Sequence, residues 1–130
     1  MCLNPLLAIT AVLYGVVGLG LTFAPAEVLA ALGAAPSSVG SWLAQVLGAA
    51  LLGFAWLNWL NRYTKTRGIL GRPVLLPNLM FITVSFWLTL GTWRRLPGHV
   101  GLLACALALG VLSIAFGARF FSRSPAQAEA

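Results

Sequence analysis

Four long apolar stretches, separated by glycine, proline and short clusters of charge, set the pattern of this 130-residue chain. They run from about Pro5 to Phe23, Ser41 to Leu60, Pro73 to Trp93 and His99 to Ala118. A helix needs roughly 20 apolar residues to cross a bilayer. Each stretch therefore predicts one spanning helix, and four spans with their loops occupy residues 1–130 as a single transmembrane domain. The expected fold is all-α, a polytopic four-transmembrane-helix bundle.

Within three of the spans, small residues recur at helical spacing. The first has Ala8, Ala11, Gly15, Gly18 and Thr22. The second has Ser41, Ala44, Gly48 and Ala55, with Ala49 and Gly53 as a second pair, and the fourth has Ala106, Gly110, Ser113 and Gly117. Smooth faces of this kind let helix backbones approach closely in lipid, so Gly15, Gly18, Ala44, Gly48, Ala106 and Gly110 are expected to pack helices together. The third span is different. It places Asn78, Ser85, Thr89 and Thr92 along one face, while Phe81, Phe86 and Trp87 supply bulk. Its polar stripe should turn toward protein or a ligand, since an unpartnered amide is costly in hydrocarbon. Phe81 and Leu88, on the other side, should then meet lipid or a partner. Pro77 near the start of this span is placed to bend it.

Between the first two spans, Pro25 to Leu32 predicts a short helix with Glu27 in its first turn and Gly33 as its stop. Val28, Leu29 and Leu32 share one side, which suits a helix lying at the membrane interface. Ala24-Pro25-Ala26 resembles a leader-cleavage site, but no Lys or Arg precedes the first apolar run and that run is long. A retained helix is expected. Trp42, Trp56 and Trp59 fit aromatic belts at the two interfaces, whereas Trp87 lies deeper, as a packing or ligand-facing residue.

Charge fixes the expected orientation. Arg62, Lys65, Arg67 and Arg72 fall between the second and third spans, and Arg119 and Arg123 follow the fourth, six on one side against only Arg94 and Arg95 on the other. The positive-inside rule then puts both termini in the cytoplasm. Only 8% of residues are charged while 60% are hydrophobic, against about 25% charged in soluble domains. The net charge of +6 accordingly reads as contact with anionic headgroups rather than with nucleic acid.

Candidate chemistry is sparse. There is one His, no Asp, and only Glu27 and Glu129 as acids, so no nucleophile has a base and an orienting partner. No set of His, Cys and carboxylate ligands suits a metal; His99 and Cys105, six apart, do not share a helix face. Cys2 and Cys105 lie about 20 Å apart in depth by helix rise, too far for a disulfide. Mid-membrane charges of the kind that ion-coupled pumps use are missing from all four spans. His99, at the start of the fourth span, is a candidate haem or pigment ligand, or more simply an interfacial polar residue. Gln45 with Asn78, Ser85 and Thr89 forms the other candidate site: a cradle for a quinone or lipid headgroup, or else a set of interhelical hydrogen bonds. Asn58 and Asn61, three apart, are expected to bond loop backbone.

Leu32-Gly33, Pro36 and the run Ala44-Gln45-Val46-Leu47-Gly48 through Gly53 resemble the DoxX-like group of small bacterial four-helix membrane proteins. The resemblance extends over about residues 10–95. Where that group often carries an acid, this chain has Gln45, which removes any ionisable role there. Some members are subunits of quinone-linked oxidoreductase systems, so the resemblance implies an accessory membrane subunit. Together these readings predict a non-catalytic accessory, assembly or stabilising subunit of a larger complex in the bacterial inner membrane. Its partners would be the bilayer and other membrane subunits, and no cofactor is expected. The alternative is a small binder or carrier of a lipophile such as a quinone, lipid or pigment.

Overall fold

A computed structural model describes residues 3–63 and 72–122. Lys65, Arg67, Arg123, Glu129 and Cys2 lie outside the described residues. Among those described, the chain forms five helices: α1 (Pro5–Phe23), α2 (Pro25–Ala31), α3 (Ser38–Leu60), α4 (Arg72–Arg95) and α5 (Val100–Phe121). Four of them, all but α2, are long and apolar enough to cross a membrane, the architecture of a multi-pass membrane protein. Pro5 and Pro25 open α1 and α2 at positions where a missing N–H leaves nothing unbonded. α3 begins three residues before the apolar run, because the Ser37 hydroxyl accepts a hydrogen bond from the Gly40 N–H at 3.3 Å and caps the helix. Two residues past the end of α2 comes Gly33, whose φ of 80° is a left-handed conformation that glycine adopts without strain.

The bundle is two helical hairpins. α1 lies along α3, α4 lies along α5, and α2 bridges the end of α1 and the start of α3. In the first hairpin the backbones touch. A Cβ built on Gly48 would sit 2.8 Å from the Gly18 carbonyl oxygen, and one on Gly18 would sit 2.9 Å from the Gly48 carbonyl oxygen. Thr22 turns its hydroxyl back onto the Gly18 carbonyl at 2.7 Å, so the polar atom at this crossing is satisfied within its own helix. The second hairpin packs bulk into a notch instead, with the Phe86 ring over Gly110. Thr83 and Ser113 hydroxyls hydrogen-bond across it at 2.9 Å.

Large side chains join the two hairpins. Tyr14 of α1, Phe54 of α3 and Phe81 of α4 form an aromatic cluster, Phe54 stacked on Phe81 with centroids 5.1 Å apart and Tyr14 edge-on to both. Such pairs contribute about 0.5–1.5 kcal/mol each beyond burial. Leu7, Leu75, Ile82 and Phe116 fill the core on either side of it, all fully buried. Phe81 is thus an inter-hairpin residue and not the lipid-facing one its helical position suggests. The Phe54 ring supplies a surface for it that spacing within one helix does not reveal. Trp87 is 62% exposed, touching only the Phe86 edge among aromatic neighbours, so it does not serve as a packing residue inside the bundle.

The Tyr14 hydroxyl is buried without a hydrogen-bond partner among the described residues. An unsatisfied buried hydroxyl costs about 1–3 kcal/mol, and Phe fills nearly the same volume. Tyr14→Phe is therefore expected to raise the thermal midpoint in detergent; a fall would mean that the hydroxyl has a partner.

Candidate functional site

The most concentrated polar chemistry inside the bundle is a pair of asparagines. Asn58, near the end of α3, and Asn78, in the second turn of α4, are both completely buried. Asn58 Nδ2 donates to Asn78 Oδ1 at 2.9 Å, and Asn78 Nδ2 donates back to Asn58 Oδ1 at 2.8 Å. The two remaining amide protons are also used. Asn58 Nδ2 reaches Thr10 Oγ1 of α1 at 3.3 Å, and Asn78 Nδ2 reaches the Val74 carbonyl at 2.8 Å. Thr10 in turn donates to the Leu6 carbonyl at 2.8 Å, with Leu7 O at 3.2 Å.

This accounting determines what the cluster can do. An asparagine amide has two protons, and all four in this pair are engaged by protein. No donor is left over for a ligand, and none of the three side chains titrates. The cluster is therefore built to hold α1, α3 and α4 in register, and it offers neither a nucleophile nor a general base. Asn58 was expected to bond loop backbone. It bonds side chains of two other helices because α3 continues regularly past it and turns it inward. Asn61 does take a local partner, the Leu57 carbonyl, at 2.8 Å.

The other candidates do not join this cluster. Ser85 and Thr89 follow Asn78 on α4, but Thr89 donates to the Ser85 carbonyl at 2.7 Å within the helix. Gln45 is exposed and donates from Nε2 to the Thr22 carbonyl at the end of α1, 3.2 Å away. His99 precedes α5 as its N-cap residue, without a side-chain capping bond, and its ring lies against Gly33. Gln45 and His99 thus serve two different inter-element contacts, away from the asparagines. Of the small residues, Gly18, Ala44 and Gly48 are buried and Gly15 half-buried in the first hairpin; Ala106 is buried and Gly110 half-buried in the second. Gly53 instead faces open space. Among the described residues, no three His, Cys, Asp or Glu side chains come together.

Comparison with family models, with characterised proteins and with solved structures gives no match.

Proposed function

We propose that this protein is a non-catalytic accessory, assembly or stabilising subunit of a larger bacterial inner-membrane complex, acting through helix–helix contacts. The observation that carries the reading is the open side of α5. That helix packs chiefly on α4, and it buries Ala106 and Phe116, against six buried residues in α1. Its outward face alternates small and large residues: Ala104 and Ala108, four apart and exposed, beside Leu107, Val111 and Ile114. A small-xxx-small step flanked by branched side chains suits close approach of another helix. Lipid alone requires no such relief.

The internal polar groups support the same reading. A carrier working through the polar face of α4 needs uncommitted donors there, and those of Asn78 and Thr89 are engaged inside the protein. The test is the native mass of gently solubilised protein, together with a photo-crosslinker placed at Leu107 or Val111. The expected result is an assembly well above the chain's own mass and a crosslink from α5 to a different polypeptide. A monomer or small homo-oligomer that carries a co-purifying lipophile and gives no crosslink would overturn the proposal.

In this reading both termini are cytoplasmic, supported by the excess of Lys and Arg between α3 and α4 and after α5. In a background without Cys2 and Cys105, Ser37→Cys should react with an impermeant maleimide in intact cells. Lys65→Cys should react only once the inner membrane is opened. The reverse pattern would invert the topology.

A further inference from the structure

We propose that the outer face of the first hairpin binds one anionic diacyl phospholipid, with its phosphate at Arg62 and its chains in two adjoining grooves between α1 and α3. The larger groove, about 500 Å³, runs over Ala11, Gly15 and Ala55 and is flanked by Trp56 and Trp59. The smaller, about 330 Å³, lies over Ala8 and Leu13. Both share Val12 and Trp59, so they meet along one indole. From Trp59 to Leu52, or from Ala8 to Gly15, the pair extends about 10 Å along the helices. That length fits within one leaflet, roughly 15 Å of hydrocarbon. Two open apolar grooves of single-leaflet length that share Val12 and Trp59 match the branching of a diacyl lipid.

The indole that the two grooves share carries a cation. The Arg62 guanidinium lies 4.2 Å from the Trp59 ring centroid and 4.6 Å from that of Tyr63. One N–H is held by the Trp59 carbonyl at 2.6 Å, which fixes the group over the indole. A planar guanidinium held in this way presents its other N–H donors as a fork suited to phosphate oxygens. No carboxylate competes for it among the described residues. Glu27, the one acid among them, lies in α2 beyond the far end of α1, about 28 Å away by helix rise. Arg62 stays at the near end, where its carbonyl accepts from the Asn4 N–H at 2.6 Å. A cation at the mouth of apolar grooves between helices is the arrangement that retains anionic headgroups, and the site stands whether or not a partner complex covers α5.

The experiment is native mass spectrometry of the full chain, delipidated and then titrated with phosphatidylglycerol or phosphatidylcholine of matched chains. The wild type should retain one phosphatidylglycerol in preference to phosphatidylcholine. Arg62→Gln should lower that retention roughly five- to tenfold, in line with about 1 kcal/mol for a basic residue near a charged surface. Gly15→Leu should lower retention of both lipids, since it fills the larger groove without touching the guanidinium. Its Cβ has room, the nearest atom being Ala55 Cβ at 3.9 Å, and a thermal midpoint like that of the wild type is the check that the helix pair is intact in this variant. Equal retention of the two lipids by wild type, unchanged retention in either variant, or full displacement by glycerol phosphate without acyl chains would each overturn the proposal.

Discussion

Gly48→Leu should lower the stability of the solubilised protein by about 1–3 kcal/mol or more, the range of overpacked cores. The cost begins with the first added carbon. A Cβ at this position meets the Gly18 carbonyl oxygen at 2.8 Å and the Thr22 backbone nitrogen at 2.9 Å. Neither atom can rotate aside, so α1 and α3 must move apart along the crossing. Separation also disturbs Leu51 and Ala55, which are buried further along α3. An opposing term exists, since replacing glycine within a helix typically gains up to about 1 kcal/mol in propensity. That gain partly offsets the clash in Gly48→Ala and is outweighed in Gly48→Leu. Gly53→Leu is the control: it lies on the same helix with nothing within 4 Å of its added Cβ, and its thermal midpoint should stay at or above wild type. Equal midpoints for the two leucine variants would show that the helices do not cross at Gly48.

The contrast between Gly48 and Gly53 also shows how far the sequence could be read. Both glycines lie in helix-spaced runs of small residues, and spacing alone gives each a packing face. Which run meets another helix depends on how α3 is rotated about its axis, and that is decided by the whole bundle. Helix existence is a local property of apolar length and breakers, so Pro5, Pro25, Gly33 and the charged loops suffice to place five helices. Contacts between hairpins are not local. Phe81 and Asn58 each occupy a position that reads equally well as outward-facing or as loop-bound until the opposing helix is known. The signal that could have found Asn58 was present: an amide two residues inside a helix end, in a chain with one other mid-helix asparagine at Asn78, is a candidate for pairing across helices. The grooves beneath Trp59 were less accessible still. In sequence Trp56 and Trp59 are belt residues, and only the packing of α1 beside them leaves space at their bases.

Replacing Asn78 alone with leucine should be more damaging than replacing Asn58 and Asn78 together. In the single variant Asn58 keeps its oxygen and one N–H facing an apolar side chain, and a buried group left unsatisfied costs about 1–3 kcal/mol. The other single variant, Asn58→Leu, strands the Asn78 oxygen and one of its protons in the same way, and also removes the donor to Thr10. In the double variant no amide remains to be stranded. What is lost then is three interhelical bonds, the reciprocal pair and the one from Asn58 to Thr10, and such bonds in membrane proteins average about 0.6 kcal/mol, so their sum is about 2 kcal/mol. Two leucines of similar volume recover part of that, since both positions are fully buried in a core that otherwise holds apolar side chains. The thermal midpoint in detergent should thus fall in each single variant and return toward wild type in the double, giving a coupling energy of at least about 1 kcal/mol. Independent sites add to within about 0.3–0.5 kcal/mol, so additive losses would mean that the two amides do not face each other. The same cycle separates stability from pairing. Two leucines can slide past each other, whereas two amides bonded in both directions fix α3 against α4. The double variant, though stable, should therefore give a broader distribution of crosslinks between cysteines placed at Leu57 and Leu79 than the wild type.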